Sequence, residues 1–272
     1  MKSPWIFHKL FPKFFAALSI FLYKFALHNQ TKLSAMKSTS ILTIILTFFT
    51  AAVITGCGGG ILGEKISEGV ITYHLEYPDG ESKSSIVMML PSQMTMSFKN
   101  DNTATLIKGF AGCFILNFIG DYTHKCNKTM LSVGFDQRYM LVSDFGEPPF
   151  GTYRMSDIQI AKTDDTTSIC GYLCHKAVGK SEKCGRNFTF WYTNDIDIQS
   201  DAILSPVKML GGVLMEFDVE MMGIYMKAKA IEVCREDIAD DVFKVPDGFK
   251  EVSRTELEDV IHSFDGNNNI PL

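Results

Sequence analysis

The feature that most constrains this chain is a switch to a period of two at Glu68. Gly69, Ile71, Tyr73, Leu75 and Tyr77 fall on one face, Thr72, His74 and Glu76 on the other, and Pro78-Asp79-Gly80 supplies a turn. Side chains alternate across a strand, so this spacing predicts a half-buried strand followed by a hairpin. The alternation returns at Met94/Met96/Phe98 against Thr95/Ser97 and at Leu131/Val133/Phe135 against Ser132. It returns again at Phe188/Phe190/Tyr192 against Asn187/Thr189, and at Val213/Met215/Phe217/Val219 against Glu216/Asp218/Glu220. Segments with one wet face predict an antiparallel sheet. The runs Ile86 to Leu90, Cys113 to Ile119, Tyr139 to Val142 and Met221 to Val233 are apolar on both faces or irregular. They read as central strands, or as strands whose outer face something covers.

Helical signals are few. Ser253 followed by Glu256 before an apolar run is a capping box, predicting one short helix. Ile203 to Gly211 reads as a helical turn or a loop, and the Asn-rich tail after Asp265 as loose. No internal repeat or linker divides the stretch 67–250, which is expected to be one β-rich domain, with 251–272 as helix and tail.

The N-terminal region has a different composition. From Met36 the chain reads Met-Lys-Ser-Thr-Ser, then fourteen uncharged residues, Ile41 to Ile54, then Thr55-Gly56-Cys57. A basic start, a short apolar stretch and a small residue before the cut form a secretory signal over 36–56. Ile54-Thr55-Gly56-Cys57 resembles the bacterial lipobox, which implies that Cys57 is acylated and that 57–66 form a lipidated tether. Gly58 after the cysteine, where similar lipoproteins retained at the inner membrane carry Asp, implies the outer membrane, facing the periplasm. Residues 1–35 fit no part of this signal and are expected to be an upstream extension from a mis-chosen start. Six of the 26 basic residues precede position 57 with no acid among them. That leaves 20 basic against 31 acidic residues, a charge of −11 over the remaining 216. Such a balance excludes nucleic acid as partner and repels an anionic membrane surface, so the lipid on Cys57 must supply the attachment.

Six cysteines remain after Cys57: Cys113, Cys126, Cys170, Cys174, Cys184 and Cys234. An even number in an exported domain makes disulfides an expectation, with 15 possible pairings. Cys174 with Cys184, and Cys113 with Cys126, flank turn-like sequences. Cys170 to His175 has one residue too many for haem attachment and lies in an expected strand, and the Cys/His pairs lack zinc-finger spacing. No metal or cofactor is expected. Gly-x-Ser-x-Gly, His-Glu-x-x-His, Walker and dinucleotide motifs are missing, and Asp164-Asp165 and Asp240-Asp241 read as solvated turns.

Several phrases, in order, resemble a Bacteroidota family of envelope proteins, a domain of unknown function related to the GLPGLI proteins. They are Glu68-Gly69-Val70-Ile71-Thr72-Tyr73; Ile169-Cys170-Gly171-Tyr172-Leu173-Cys174-His175-Lys176-Ala177; Trp191-Tyr192-Thr193-Asn194-Asp195-Ile196; and Gly212-Val213-Leu214-Met215-Glu216. The resemblance spans roughly 67–248 and implies a fold similar to the lipoprotein carriers LolA and LolB. In that fold an antiparallel sheet curls into an open half-barrel with a few short helices over its concave apolar face. Cys113, Cys126, Cys170 and Cys184 depart from the family pattern. The resemblance implies no activity.

The expected function is therefore binding: a half-barrel that holds an apolar ligand or chaperones an envelope component. Twelve methionines follow residue 57, and methionine makes adaptable apolar walls. Met94, Met96, Met215, Phe217, Phe188 and Phe190 are the expected lining. The alternative is a structural lipoprotein that docks a partner protein, with catalysis the least expected role.

Overall fold

The computed structural model describes residues 65–80, 90–109, 112, 114–134, 136–145, 147–198 and 207–264. The expectations for 1–35, for the signal at 36–56, for Cys57, for Cys113 and for the tail beyond 264 lie outside the described residues. So do residues 86–89 and 203–206 of the two runs named above.

The strands are β1 (Glu68–Glu76), β2 (Gln93–Lys99), β3 (Asn102–Gly109), β4 (Phe114–Asp121), β5 (Cys126–Val133) and β6 (Gln137–Asp144). There follow β7 (Gln159–Ile169), β8 (Tyr172–Ser181), β9 (Arg186–Thr193), β10 (Val213–Met221), β11 (Ile224–Cys234) and β12 (Lys250–Glu251), with, among the described residues, one α-helix, α1 (Arg254–Phe264). They form one open sheet in the order β12-β6-β5-β4-β3-β2-β1-β11-β10-β9-β8-β7. Every neighbouring pair is antiparallel except β12 with β6. Local turn chemistry dictates much of this meander. Asn100-Asp101, Cys170-Gly171 and Met222-Gly223 are two-residue hairpin loops with both φ angles positive for Asn100, Asp101, Cys170, Gly171, Met222 and Gly223. That geometry matches the natural twist of paired strands.

The curl follows from chain length. β6 and β7 are consecutive in sequence yet stand ten strand steps apart, about 48 Å across a flat sheet at about 4.8 Å per step. Fifteen residue steps join Asp144 to Gln159. Five of those residues, Tyr153–Asp157, are a 3₁₀ turn, which advances only about 2 Å per residue. The link therefore reaches about 44 Å at most, with about 3.4 Å for each extended residue. The two edges of the sheet must approach each other, and the link, residues 147–158, crosses the concave face as a strap.

Alternation decides which side chains meet the strap. Ile71, Tyr73 and Leu75 of β1, Met94 and Phe98 of β2, Phe188 and Phe190 of β9 and Ala228 and Ala230 of β11 are buried in one core. Phe150, Met155 and Ile158 of the strap complete it, and Met155 is fully buried. Gly179 on β8 marks a close approach, since a Cβ there would stand 2.8 Å from Ile158 and 2.9 Å from Phe190. The C-terminal segment covers part of the convex face. Phe243, Val245 and Phe249 pack on Ala104, Ile119, Met130 and Met140. This explains why the stretches ending at Ile119 and Val142 are apolar on both faces. The chain then adds β12 beside β6 and enters α1, whose Leu257 is fully buried in the concave-face core. The capping box forms as expected: Ser253 N donates to Glu256 Oε2 at 2.8 Å, and Glu256 N donates to Ser253 Oγ at 3.2 Å.

Candidate ligand-binding cavity

Between the strap and the middle of the sheet the core is incomplete. A cavity of about 80 Å³ remains, walled by Tyr73 and Leu75 of β1, Met94 and Met96 of β2, Thr105 and Ile107 of β3 and Phe118 of β4. Its far wall is Val213, Leu214, Phe217, Val219 and Met221 of β10 with Met226 and Ala228 of β11, and Pro149 and Thr152 of the strap roof it. These residues meet because the ladder puts them there. Tyr73 stands opposite Met94, Met94 opposite Ile107, Leu75 opposite Ala228, and Ala228 opposite Phe217. The wall is almost wholly apolar. Its phenol, Tyr73, is already satisfied by donating to Leu214 O at 2.8 Å, and its ring meets Phe217 edge-on at 5.8 Å. Burial raises that phenol's pKa far above its ordinary value, so it stays neutral.

Met94, Met96 and Phe217 thus line the cavity, and Met215, Phe188 and Phe190 do not. The pairing of β10 with β9 slips at Met215: Leu214 faces Tyr192, while Glu216 faces Trp191. That bulge brings Leu214 and Phe217 to the same inner face, and buries Met215 completely outside the wall. Phe188 and Phe190 point into the concave core, but the second half of the strap occupies the space over them, with Ile158 beside Phe190. Leu214, Met221, Met226, Pro149 and Thr152 were not legible as lining. The first depends on the bulge, and the last two on a long-range crossing.

The strap is held unequally along its length. Arg154 Nη1 lies 2.6 Å from Glu220 Oε1, an ion contact without hydrogen-bond angles, and Glu220 is buried. Arg186 approaches the same carboxylate at 3.7 Å and pairs with Asp79 at 2.7 Å. This cluster occupies the wedge where β9 and β10 part. Their pairing stops at Phe190 and Phe217, and the Asp218 carboxylate accepts from Thr189 N at 2.8 Å in place of a backbone partner. Burial, with Asp218 adding to it, pushes the Tyr225 phenol up to about 12. Farther along, Asp157 accepts from Ser181 Oγ at 2.6 Å and from Glu182 N and Lys183 N at 3.0 Å each. These bonds hold its carboxyl below the ordinary range. The Glu220 N–H points at Met155 Sδ, 3.3 Å away.

The cysteines give a different picture from the expected disulfides. Cys126, Cys170, Cys174 and Cys184 are free thiols. Cys174 lies seven residues up β8 from Ser181, about 23 Å at the strand rise, whereas Cys184 sits in the turn beyond Ser181. A disulfide needs Cα atoms within about 7 Å. Cys126 stands opposite Asp121, and Cys234 ends β11 opposite Val70. Cys170 is a hairpin-turn residue with φ of 51°, and not part of a strand as expected from sequence. Burial raises all four free thiols, Cys174 to about 11, so each is protonated and weakly nucleophilic at neutral pH.

Several of the remaining acidic residues pair locally. Asp165 pairs with Lys176 at 3.1 Å, Asp240 with Lys99 at 2.9 Å, and Asp241 with Lys244 at 2.8 Å. His124 sits 2.8 Å from Asp121, which also binds Lys128 at 2.9 Å. Among the described residues no three His, Cys, Asp or Glu side chains converge as a metal site.

No protein-family model and no curated protein sequence matches the chain. Among solved structures it is similar to PNGF-II in its P21 crystal form, at 16% identity over 72% of this chain and 33% of that chain, with a TM-score of 0.48. The C2 crystal form of PNGF-II gives 16% identity over 71% and 32%, with a TM-score of 0.44. The chain spans about a third of the length of these structures.

Proposed function

We propose that this protein is an envelope lipoprotein, anchored through lipid on Cys57 at the outer membrane, whose curled sheet binds an apolar ligand from the periplasm. The supporting observation is the cavity under the strap. It is bounded by four methionines and by aromatic and aliphatic side chains, with no charged group in its wall. Flexible thioethers adapt their shape to an apolar guest, and a wall without a counter-charge selects for a neutral apolar group. Ordinary ligand pockets measure about 300–1,000 Å³, against about 80 Å³ here. The guest is therefore a short apolar group, or a longer chain that displaces part of the strap.

The docking alternative draws less support from the sheet edges. A bare edge invites pairing unless charges or bulges blunt it. The β7 edge carries Lys162, Asp164 and Asp165 and a register shift between Lys162 and Thr166. The opposite edge is the two-residue β12.

Native mass spectrometry of protein purified from membranes, followed by solvent extraction, tests the proposal. It predicts an apolar species released on denaturation, distinct from acyl groups on Cys57. A protein carrying nothing but its covalent lipid contradicts the ligand reading, and an unacylated Cys57 contradicts the anchor.

A further inference from the structure

We infer that the ligand reaches the cavity through the cleft between the strap and α1, and that residues 147–151 are the segment that moves to admit it. The inference rests on the ligand reading above and adds the route and the moving part. Its first ground is that Pro149 belongs to two walls. One face lines the apolar cavity. It also borders an outer cleft of about 450 Å³ formed with Glu147, Pro148, Tyr153, Arg254 and Glu258. The proline turn thus separates the buried space from the outer one. The other walls of the cavity are strands paired by backbone ladders, interrupted between β1 and β11 by a register shift at Thr72/Tyr73, and passage between paired strands breaks several hydrogen bonds at once.

The second ground is the uneven anchoring of the strap. From Arg154 to Asp157 it is clamped by the Glu220 ion contact, by Arg154 Nη2 donating to Lys183 O at 2.7 Å, and by three bonds to the Asp157 carboxylate. From Glu147 to Gly151 three polar ties to other elements are present among the described residues, and they sit at the two ends of the segment. They are the half-exposed Glu147–Arg254 ion pair at 2.7 Å, the bond from Glu147 N to Asp144 O at 3.0 Å, and the bond from Met222 N to Gly151 O at 2.7 Å. Thr152 holds the proline turn together, its Oγ1 donating to Pro149 O at 2.8 Å, so the turn moves as a unit. Gly151 is the pivot. Its φ is +82°, and a Cβ there would stand 2.8 Å from Met222 Cγ, so the closed position depends on glycine. Opening withdraws the buried Phe150 from the core. The open state is accordingly minor without ligand and is drawn out by an apolar guest that takes over the released contacts.

Stopped-flow uptake of N-phenyl-1-naphthylamine, whose fluorescence rises in apolar sites, tests the route in three variants. Glu147→Gln removes the latch and is expected to speed uptake about two- to fivefold, the range an exposed ion pair supports. Gly151→Ala, which disfavours the closed turn, is expected to speed it more. Asp157→Asn loosens the clamped half and is expected to leave the rate unchanged. Acceleration by Asp157→Asn without acceleration by Glu147→Gln overturns the route while leaving the ligand reading intact. If no variant and no wild-type protein takes up the probe, the ligand reading itself fails. Amide hydrogen exchange on the unaltered protein tests the moving segment without any ligand. Residues 147–151 should exchange faster than 153–158, and the reverse order overturns the assignment.

Discussion

Replacing Met155 by alanine tests whether the strap is packed into the sheet or merely lies over it. The side chain is fully buried, and truncating a buried methionine costs about 2–5 kcal/mol through lost transfer energy and the cavity left behind. Its sulfur also faces the Glu220 N–H at 3.3 Å, so the variant strips a buried donor of its neighbour and adds about 1 kcal/mol. A total of about 3–6 kcal/mol is expected. With a urea slope of about 2–3 kcal/mol/M for a domain of this size, the midpoint should fall by about 1–3 M with the slope unchanged. Met209→Ala supplies the comparison. That methionine is 63% exposed and its loss should matter by less than about 0.5 kcal/mol. Equal, small shifts for both variants would refute the packed strap and with it the roof of the cavity.

The same wedge and strap give further expectations. Glu220→Gln leaves the partly exposed Arg154 facing a neutral partner and should cost about 1–3 kcal/mol in urea unfolding, the range for a charged group that loses its partner at a partly buried site; a loss under about 0.5 kcal/mol would show that the contact does not hold the strap. Asp157 is held below its ordinary value near 3.8 by Ser181 Oγ first, then by the Lys183 and Glu182 amides. A depressed carboxylate contributes stability that is fully present above the ordinary value and is lost as pH falls through the lowered one. Asp157→Asn should therefore flatten the fall in urea midpoint below about pH 4, and an unchanged acid profile would count against the clamp. Alkylation mapping of denatured, unreduced protein should modify Cys126, Cys170, Cys174 and Cys184, whereas disulfide-linked peptides among them would contradict the free thiols. In the native protein Cys174 should react last, because it is fully buried and its thiol is pushed up to about 11.

Local patterns were legible where one face is wet. Ile71, Tyr73 and Leu75 turn inward as the period of two requires, with His74 and Glu76 exposed. The helix follows from Ser253 and Glu256 because a capping box satisfies its donors within four residues. Runs apolar on both faces pointed to a cover without saying which segment supplies it. The cover comes from Phe243, Val245 and Phe249, more than 100 residues beyond the strands they protect. The site was legible only in part for a related reason. Met94, Met96 and Phe217 reach the wall by alternation, but Met215 leaves it because the ladder slips by one residue there. A bulge carries no signature in the apolar pattern. Pro149 and Thr152 enter through a crossing whose course depends on the strand order of the whole sheet. Cysteine number suggested disulfides from compartment alone, while register decides which thiols can meet.

Whether the space beneath the strap binds a guest is tested most directly at Ala228. It is buried, it lines the cavity, and it faces Leu75 and Phe217 across the ladder. The deciding measurement is a fluorescence titration with N-phenyl-1-naphthylamine of the unaltered protein beside Ala228→Leu, with circular dichroism to verify that the variant is folded. Saturable one-to-one binding that is lost when leucine fills the cavity is the predicted result. Equal binding by both proteins, or none by either, would show that the space beneath the strap is not a binding site.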